Sequence, residues 1–347
     1  MLSLSPVTQR DVAMACKVHP STICLALKDA PSIPLATRRR IQETAASMGY
    51  RPNAAARNLA FLRTEKTQAG GSLPLAWLNQ EPTRDFWRRD PEGIKVYAAA
   101  RQRAAALGYV LTDLWAAEPG LRPARLAEIL RARGIEGVMC PVAGAMRPEL
   151  FETLRGRFCT MALGDYRAGE WLDVVCGDYY HNLEIALSWL DQAGAANIGL
   201  VLDPAFDAAS GGLVRSRYLS FQHDGECLRD VPQCVLGCRE DAHGDLLAWW
   251  HRHRPEAVVC GGRGAAAIAQ DVLAKDVTVV CLETSDSGCQ QIDDRSEIVA
   301  MYAVERLAAK VQGRDQRFGE DTQRSLVKGH VLTPSAPAMT PRQAVAV

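Results

Sequence analysis

Apolar positions recur at two spacings along the chain, and the change between them divides it. At the N-terminus the spacing is three or four residues, the period of a helix with one buried face. Thr8-Gln9-Arg10-Asp11 offers a hydroxyl to the first free amide and a carboxylate to the first turn, so a helix starts there. Val12, Ala13 and Cys16 form its inner face, and Lys17-Val18-His19 breaks it. Pro20 suits the first position of a second helix, where a missing N–H costs nothing; Ile23, Ala26 and Leu27 point inward, and Lys28-Asp29-Ala30-Pro31 ends it. A third helix over about 35–48 carries Ile41, Ala45 and Met48 inward and stops at Gly49. Three short helices, the first two joined by a tight turn, predict a helix-turn-helix unit. Pro52-Asn53 opens a short Ala-rich helix to about 61, and 62–72 read as a linker.

From Leu73 onward short apolar runs alternate with helical patterns. Strands are predicted at 73–78, 110–114, 135–140, 160–163, 198–202, 234–236, 257–260 and 277–282. Helices are predicted at 93–107, 123–133, 183–193, near 215–228, and at 245–252, 265–273 and 299–311. Such alternation argues for parallel α/β sheets, and this length of chain for two lobes. Residues 335–347 read as a loose tail.

Composition narrows the class. Hydrophobic residues make up 48% of the 347, which excludes disorder as the main state. No apolar run reaches bilayer length, so no membrane role is expected, and no basic stretch followed by an apolar segment opens the chain. Eleven cysteines, an odd and scattered set lying largely in apolar runs, fit reduced, buried thiols of a cytoplasmic protein. Cys234 and Cys238 have a ligand-like separation, but no second Cys/His pair completes a zinc set; neither a metal nor a cofactor is expected. The zero net charge hides an asymmetry. Residues 1–66 hold ten Lys/Arg against four acids, a net of +6, and the remainder is −6. A basic head on an acidic body suits a polyanion-binding module joined to something else.

The run Val7-Thr8-Gln9-Arg10-Asp11-Val12-Ala13, Val18-His19-Pro20-Ser21-Thr22-Ile23, Thr37-Arg38 and Gly49-Tyr50-Arg51-Pro52-Asn53-Ala54-Ala55-Ala56-Arg57-Asn58-Leu59 closely resembles the DNA-binding head of the LacI/GalR family. Weaker landmarks continue through the body: Gly108-Tyr109, Gly134-Ile135-Glu136-Gly137, Leu163-Gly164-Asp165, Asp178, Gly194, Arg217 with Ser220-Phe221, and Ala257-Val258-Val259. The resemblance implies a small all-α helix-turn-helix head at 7–51, a hinge helix and linker at 52–72, and an α/β two-lobed, periplasmic-binding-protein-like domain with parallel sheets at 73–334. Its lobes are expected at about 73–172 plus 296–322 and about 173–295 plus 323–334.

The function implied is that of a transcription regulator, a repressor, that binds a palindromic double-stranded DNA operator as a homodimer in the bacterial nucleoid, under control of a small-molecule effector. By motif position Pro20, Ser21 and Leu25 face bases, while Thr22 and Thr8 suit phosphates. Many relatives carry polar or basic residues at the Pro20 and Leu25 positions, so this operator should differ in its outer bases. The competing reading puts Leu25 inside the three-helix core. In the hinge, Asn53 caps the helix, Ala56 and Arg57 lie near the minor groove, and Leu59 wedges into it at the operator centre. His19 and Pro34 stand where the family has Ser caps, and neither is expected to cap well.

Arg217 and Asp178 match effector-site landmarks, with structural salt bridges an equal reading for both. Gly262-Arg263 replaces the Asn-Asp of sugar-responsive relatives, and Glu283-Thr284 replaces a downstream Gly-x-Asp-Asp pattern. Arg accepts no hydrogen bond. Two readings stay open: Arg217 and Arg263 bind an anionic sugar derivative, or Arg263 pairs with Glu283 and the cleft has lost its ligand. Other functions also stand as alternatives: a small-molecule binding protein with a vestigial head, or an effector-independent DNA binder. An enzyme is not expected, since no His pairs in motif with a nucleophile and no phosphate-binding Gly-rich loop follows a strand.

Overall fold

The structure, a computed structural model, describes residues 7–27, 33–50, 72–142, 147–223, 231–237, 241–284, 288–313 and 321–332. It divides into two compact units, Met1–Gly71 and Ser72–Val347. In the first, α1 (Gln9–Cys16), α2 (Pro20–Leu27) and α3 (Leu35–Ser47) enclose Val12, Ala13, Cys16, Ile23, Ala26, Ile41 and Ala45. Thr8 and Asp11 form the expected reciprocal cap: the Thr8 amide donates to the Asp11 carboxylate at 2.7 Å and the Asp11 amide to the Thr8 hydroxyl at 3.4 Å. Lys17 takes a left-handed conformation (φ 53°) that turns the chain toward α2, and the Gln42 amide ties α3 to the Ala26 carbonyl at 3.1 Å. The hinge residues Asn53, Ala56, Arg57 and Leu59 lie outside the described residues.

The second unit holds two six-stranded sheets. The first has the order β11-β5-β4-β3-β1-β2: β1 (Leu73–Asn79), β2 (Tyr109–Trp115), β3 (Gly137–Pro141), β4 (Cys159–Leu163), β5 (Val174–Gly177) and β11 (Arg324–Val327), all parallel. Both faces are covered. Leu75 and Trp77 of β1 face α4 (Pro91–Ala106) and α12 (Ser296–Val311), while Ala76 and Leu78 face α5 (Pro123–Ala132) and α6 (Pro148–Leu154), the two-residue period of a doubly covered strand.

The second sheet has the order β12-β10-β9-β8-β6-β7, from β6 (Ile198–Leu202), β7 (Cys234–Val235), β8 (Ala257–Gly261), β9 (Thr278–Cys281), β10 (Gln290–Asp293) and β12 (His330–Val331); only β12 runs antiparallel to its neighbour. Its helices are α7 (Tyr179–Gln192), α8 (Pro204–Ala209), α9 (Leu213–His223), α10 (Ala242–His253) and α11 (Arg263–Val272). The buried thiols sit where expected; burial pushes that of Cys140, in β3, up to about 12.

The chain passes between lobes at 177–179, 293–296 and 327–330. Two of the expected boundaries therefore need correction: 173–177 and 323–327 belong to the first sheet, not the second lobe. Their strands are four residues long, and β11 alternates exposed and half-buried positions, so neither leaves a long apolar run in the sequence. The passages are tied together, with the Asp178 amide donating to the Val327 carbonyl at 2.8 Å and the Gly329 amide to the Asn182 side chain at 2.9 Å.

Candidate functional site

Helix α2 presents two faces. Ile23 and Ala26 are fully buried, while Pro20, Ser21 and Leu25 are exposed and Thr22 is half-buried. Leu25 is 41% exposed, so it does not pack in the core. Thr8 is exposed, but its hydroxyl already donates to the Asp11 carboxylate at 2.7 Å. The expectation for His19 is corrected. Its Nδ1 lies 2.8 Å from the Ser21 hydroxyl and accepts the Ser21 amide at 3.3 Å, so the imidazole caps α2 although it was not expected to cap well. Pro34 makes no side-chain cap on α3, as expected.

The second candidate lies between the lobes, where strand C-terminal ends meet, the usual ligand position in open α/β sheets. A cavity of about 420 Å³ opens there, within the size range of small-molecule sites. Each lobe supplies an aromatic wall. Trp77 and Trp87 both pack on Tyr97, with ring centroids 5.2 and 4.4 Å away, and Tyr179 meets Phe206 edge-on at 5.5 Å. Six carboxylates line the same space: Glu81, Asp90, Glu92, Asp203, Glu283 and Asp294. Arg263 is the one Lys or Arg among the described lining residues.

That arginine is engaged. Its guanidinium donates twice to Asp90 across the lobes, at 2.9 and 3.0 Å, with both side chains part-exposed. Burial opposes the Asp90 charge, but the Arg263 hydrogen bonds and charge, with the Glu92 and Gly93 amides, outweigh it and hold the carboxyl below its ordinary range. Asp90 also caps α4 through the Glu92 amide at 3.2 Å. Glu283 meets Arg263 through the backbone, accepting its N–H at 3.1 Å and placing a negative charge at the start of α11. The guanidinium of Arg263 thus pairs with Asp90, and Glu283 meets the same residue at its backbone N–H. Gly262 makes this geometry possible. It has φ 102°, and a Cβ there would lie 2.7 Å from that of Asp203.

Burial, then the charges of Glu283, Glu92 and Asp293, push Asp294 up to about 7. Burial likewise raises Glu283, against the pull of Arg263. The Ser296 hydroxyl donates to Glu92.

Asp178 and Arg217 are not among the cavity's described lining residues. Asp178 caps α7 by accepting the His181 amide at 3.1 Å; Arg217 is buried in α9, its guanidinium 5.8 Å from the Tyr180 ring. Sequence reasoning missed Trp87, Asp90 and Glu92, although Phe86-Trp87-Arg88-Arg89-Asp90-Pro91-Glu92 marked a helix start rich in acids and aromatics. It also missed Asp294, which shows no motif. The run Trp249-Trp250-His251-Arg252-His253 ends α10 away from the cavity: Arg254 stacks 4.0 Å from the Trp250 ring, and Trp249 donates to the Pro232 carbonyl at 2.7 Å.

No family model matches the chain, and no curated protein does. Solved structures do. The chain is similar to the lac repressor dimer bound to operator and the anti-inducer ONPF, with 15% identity and a TM-score of 0.59 over 96% of this chain and 99% of that one. The transcriptional regulator CelR in complex with cellobiose gives 15% identity and a TM-score of 0.61 over 95% and 99%. Transcription regulator CcpA of Lactococcus lactis gives 8% and 0.58 over 76% and 99%. At these identities the likeness is one of fold: a helical head joined to a two-lobed α/β body. No described helix is long and apolar enough to cross a membrane.

Proposed function

We propose that this chain is a DNA-binding transcription regulator of the LacI/GalR type, a repressor that reads a palindromic operator as a homodimer and responds to a small molecule held between its lobes. The observation that carries the reading is the division of α2: Ile23 and Ala26 anchor it, while Pro20, Ser21 and Leu25 stand free beside the Ser21–His19 cap. A major groove admits one helix with such a face. With its proton directed to His19, the Ser21 oxygen presents lone pairs, suited to the exocyclic amine of adenine or cytosine. Pro20 and Leu25 offer apolar contact to thymine methyls.

Control follows from the hinge and the cleft. In this reading the hinge around Leu59 engages the minor groove at the operator centre. A ligand that prefers one lobe arrangement biases that step by its differential affinity. The chain is a binding protein in this reading, and the structural neighbours carry regulator names rather than enzyme names.

The test is operator selection from random DNA with purified protein, against Leu59→Ala at two salt concentrations. The expected outcome is an inverted repeat, with affinity falling steeply in salt and on loss of Leu59. No consensus, together with an unaltered Leu59→Ala variant, overturns the reading.

A further inference from the structure

The geometry points to a compact organic cation as the cleft's ligand: an ammonium or guanidinium group seated among the carboxylates, on a body that packs against the aromatic walls and offers an acceptor to Asn182. The inference rests on the reading of the cleft as the effector site. Its first ground is the balance of charge inside a part-open, part-aromatic cavity. Six carboxylates face one arginine, and that arginine is committed to Asp90. An anion entering there meets like charge with no free cation to receive it; a neutral polyol leaves the acids uncompensated.

The second ground is independent of charge. Asn182 lines the cavity and is 2% exposed. Its Oδ1 accepts the Gly329 amide at 2.9 Å, which fixes the orientation of the side-chain amide. Its NH₂ then has no acceptor among the described residues, on a side chain that lines the cavity. A ligand carrying a hydroxyl or carbonyl supplies that acceptor.

The aromatic walls fit the same ligand. The rings of Trp77, Phe86 and Phe206 line the cavity and offer surface for the ligand's apolar body, while the Trp87 ring already carries Arg88, 5.0 Å from its centroid. A single metal ion fits poorly, because the acids are spread around the wall; among the described residues no three His, Cys, Asp or Glu side chains converge to hold one.

Asp294 gives the inference a pH signature. It is faced by Glu283 from the loop after β9, by Glu92 from the first turn of α4 and by Asp293 beside it, with Tyr179 of α7 nearby. With its carboxyl pushed up to about 7, the free protein carries a proton there at mildly acid pH. A bound cation favours the ionised form and expels that proton. Cation binding therefore weakens as pH falls from 8 to 6, by roughly tenfold for each unit by which the cation lowers that carboxyl.

The experiment is calorimetric titration of the full chain with four probes: glucosamine and agmatine as cations, glucose as a neutral sugar and glucuronate as an anion. Both cations are expected to bind at least roughly tenfold tighter than glucose or glucuronate, and more weakly at pH 6 than at pH 8. Asp294→Asn and Glu283→Gln should each weaken the cations by roughly tenfold while leaving glucose unchanged. Glu81→Gln, on the loop after β1, is a milder substitution that tests the same charge balance if either of those fails to fold. Failure of both cations to bind, tighter binding of glucuronate or glucose, or cation affinity untouched by every substitution overturns the inference. The operator selection separates the two readings. An operator recovered without cation binding sinks this inference alone, whereas cation binding without an operator sinks the regulator and leaves the ligand class standing.

Discussion

The helical head and the interlobe cleft are built over very different distances along the chain. In the head the decisive contacts are nearly adjacent: Thr8 with Asp11, and His19 with Ser21. In the cleft Arg263 reaches Asp90 across 173 positions, and Ser296 reaches Glu92 across 204. A site of the first kind depends on three small helices and, among the described residues, seven buried side chains. A site of the second depends on two complete sheets and on loops that only the closed topology brings together. The head is therefore sensitive to any loss of core, whereas the cleft is sensitive to backbone conformation and charge balance.

The largest effect is expected from the head's core. Ile23 is fully buried at the centre of α2, so Ile23→Ala should cost about 2–5 kcal/mol, comparable to the whole stability of so small a unit. Operator affinity should vanish while thermal unfolding of the body and its ligand binding stay unchanged. A matching fall in the body's unfolding temperature would break the comparison, because the two units would then share one cooperative transition.

Gly262→Ala applies the corresponding test to the cleft. At φ 102° an alanine is strained, and its Cβ would press on that of Asp203. The two costs together should reach about 2–3 kcal/mol in denaturant unfolding of the body. Because Gly262 precedes Arg263, the Asp90 contact should loosen too, and cation affinity should drop with operator binding of the ligand-free protein retained. An alanine variant as stable as the parent would show that the α11 start relaxes freely.

The same contrast in distance explains what the sequence disclosed. The head was legible because caps, turns and a three-to-four residue period are local signals: Thr8, Pro20 and Gly49 marked their positions directly. The alternation of strands and helices was legible for the same reason, except at the short helices α6 and α8 and where β5, β10, β11 and β12 were too short or too exposed. The charge of the cleft was not. It is a sum over the loop after β1, the start of α4, the ends of β6 and β9 and the β10–α12 passage, and no stretch of sequence carries that sum. Arg263 stood out as an unusual residue, and without Asp90 opposite it the natural inference was an anion. Asp178 and Arg217 were recognisable by resemblance, yet one caps a helix and the other is buried beside Tyr180.

The smallest effect expected is also the sharpest check on local reasoning. His19 caps α2 through Nδ1, which accepts the Ser21 amide and stands beside the Ser21 hydroxyl. Loss of a side-chain cap costs about 1 kcal/mol, so His19→Ala should lower the head's stability by that much, read from urea unfolding of the helical signal. His19→Ser replaces one acceptor by another and should recover most of it. The two variants differ again on DNA. Serine leaves the Ser21 proton free to turn toward a base acceptor, so His19→Ser should relax discrimination at the base pair facing Ser21 while keeping affinity near the parent's. Equal stability of the alanine variant and the parent would mean that the imidazole contact holds the Ser21 hydroxyl without supporting the helix, and the head's entry into α2 would then rest on Pro20 and the left-handed Lys17 alone.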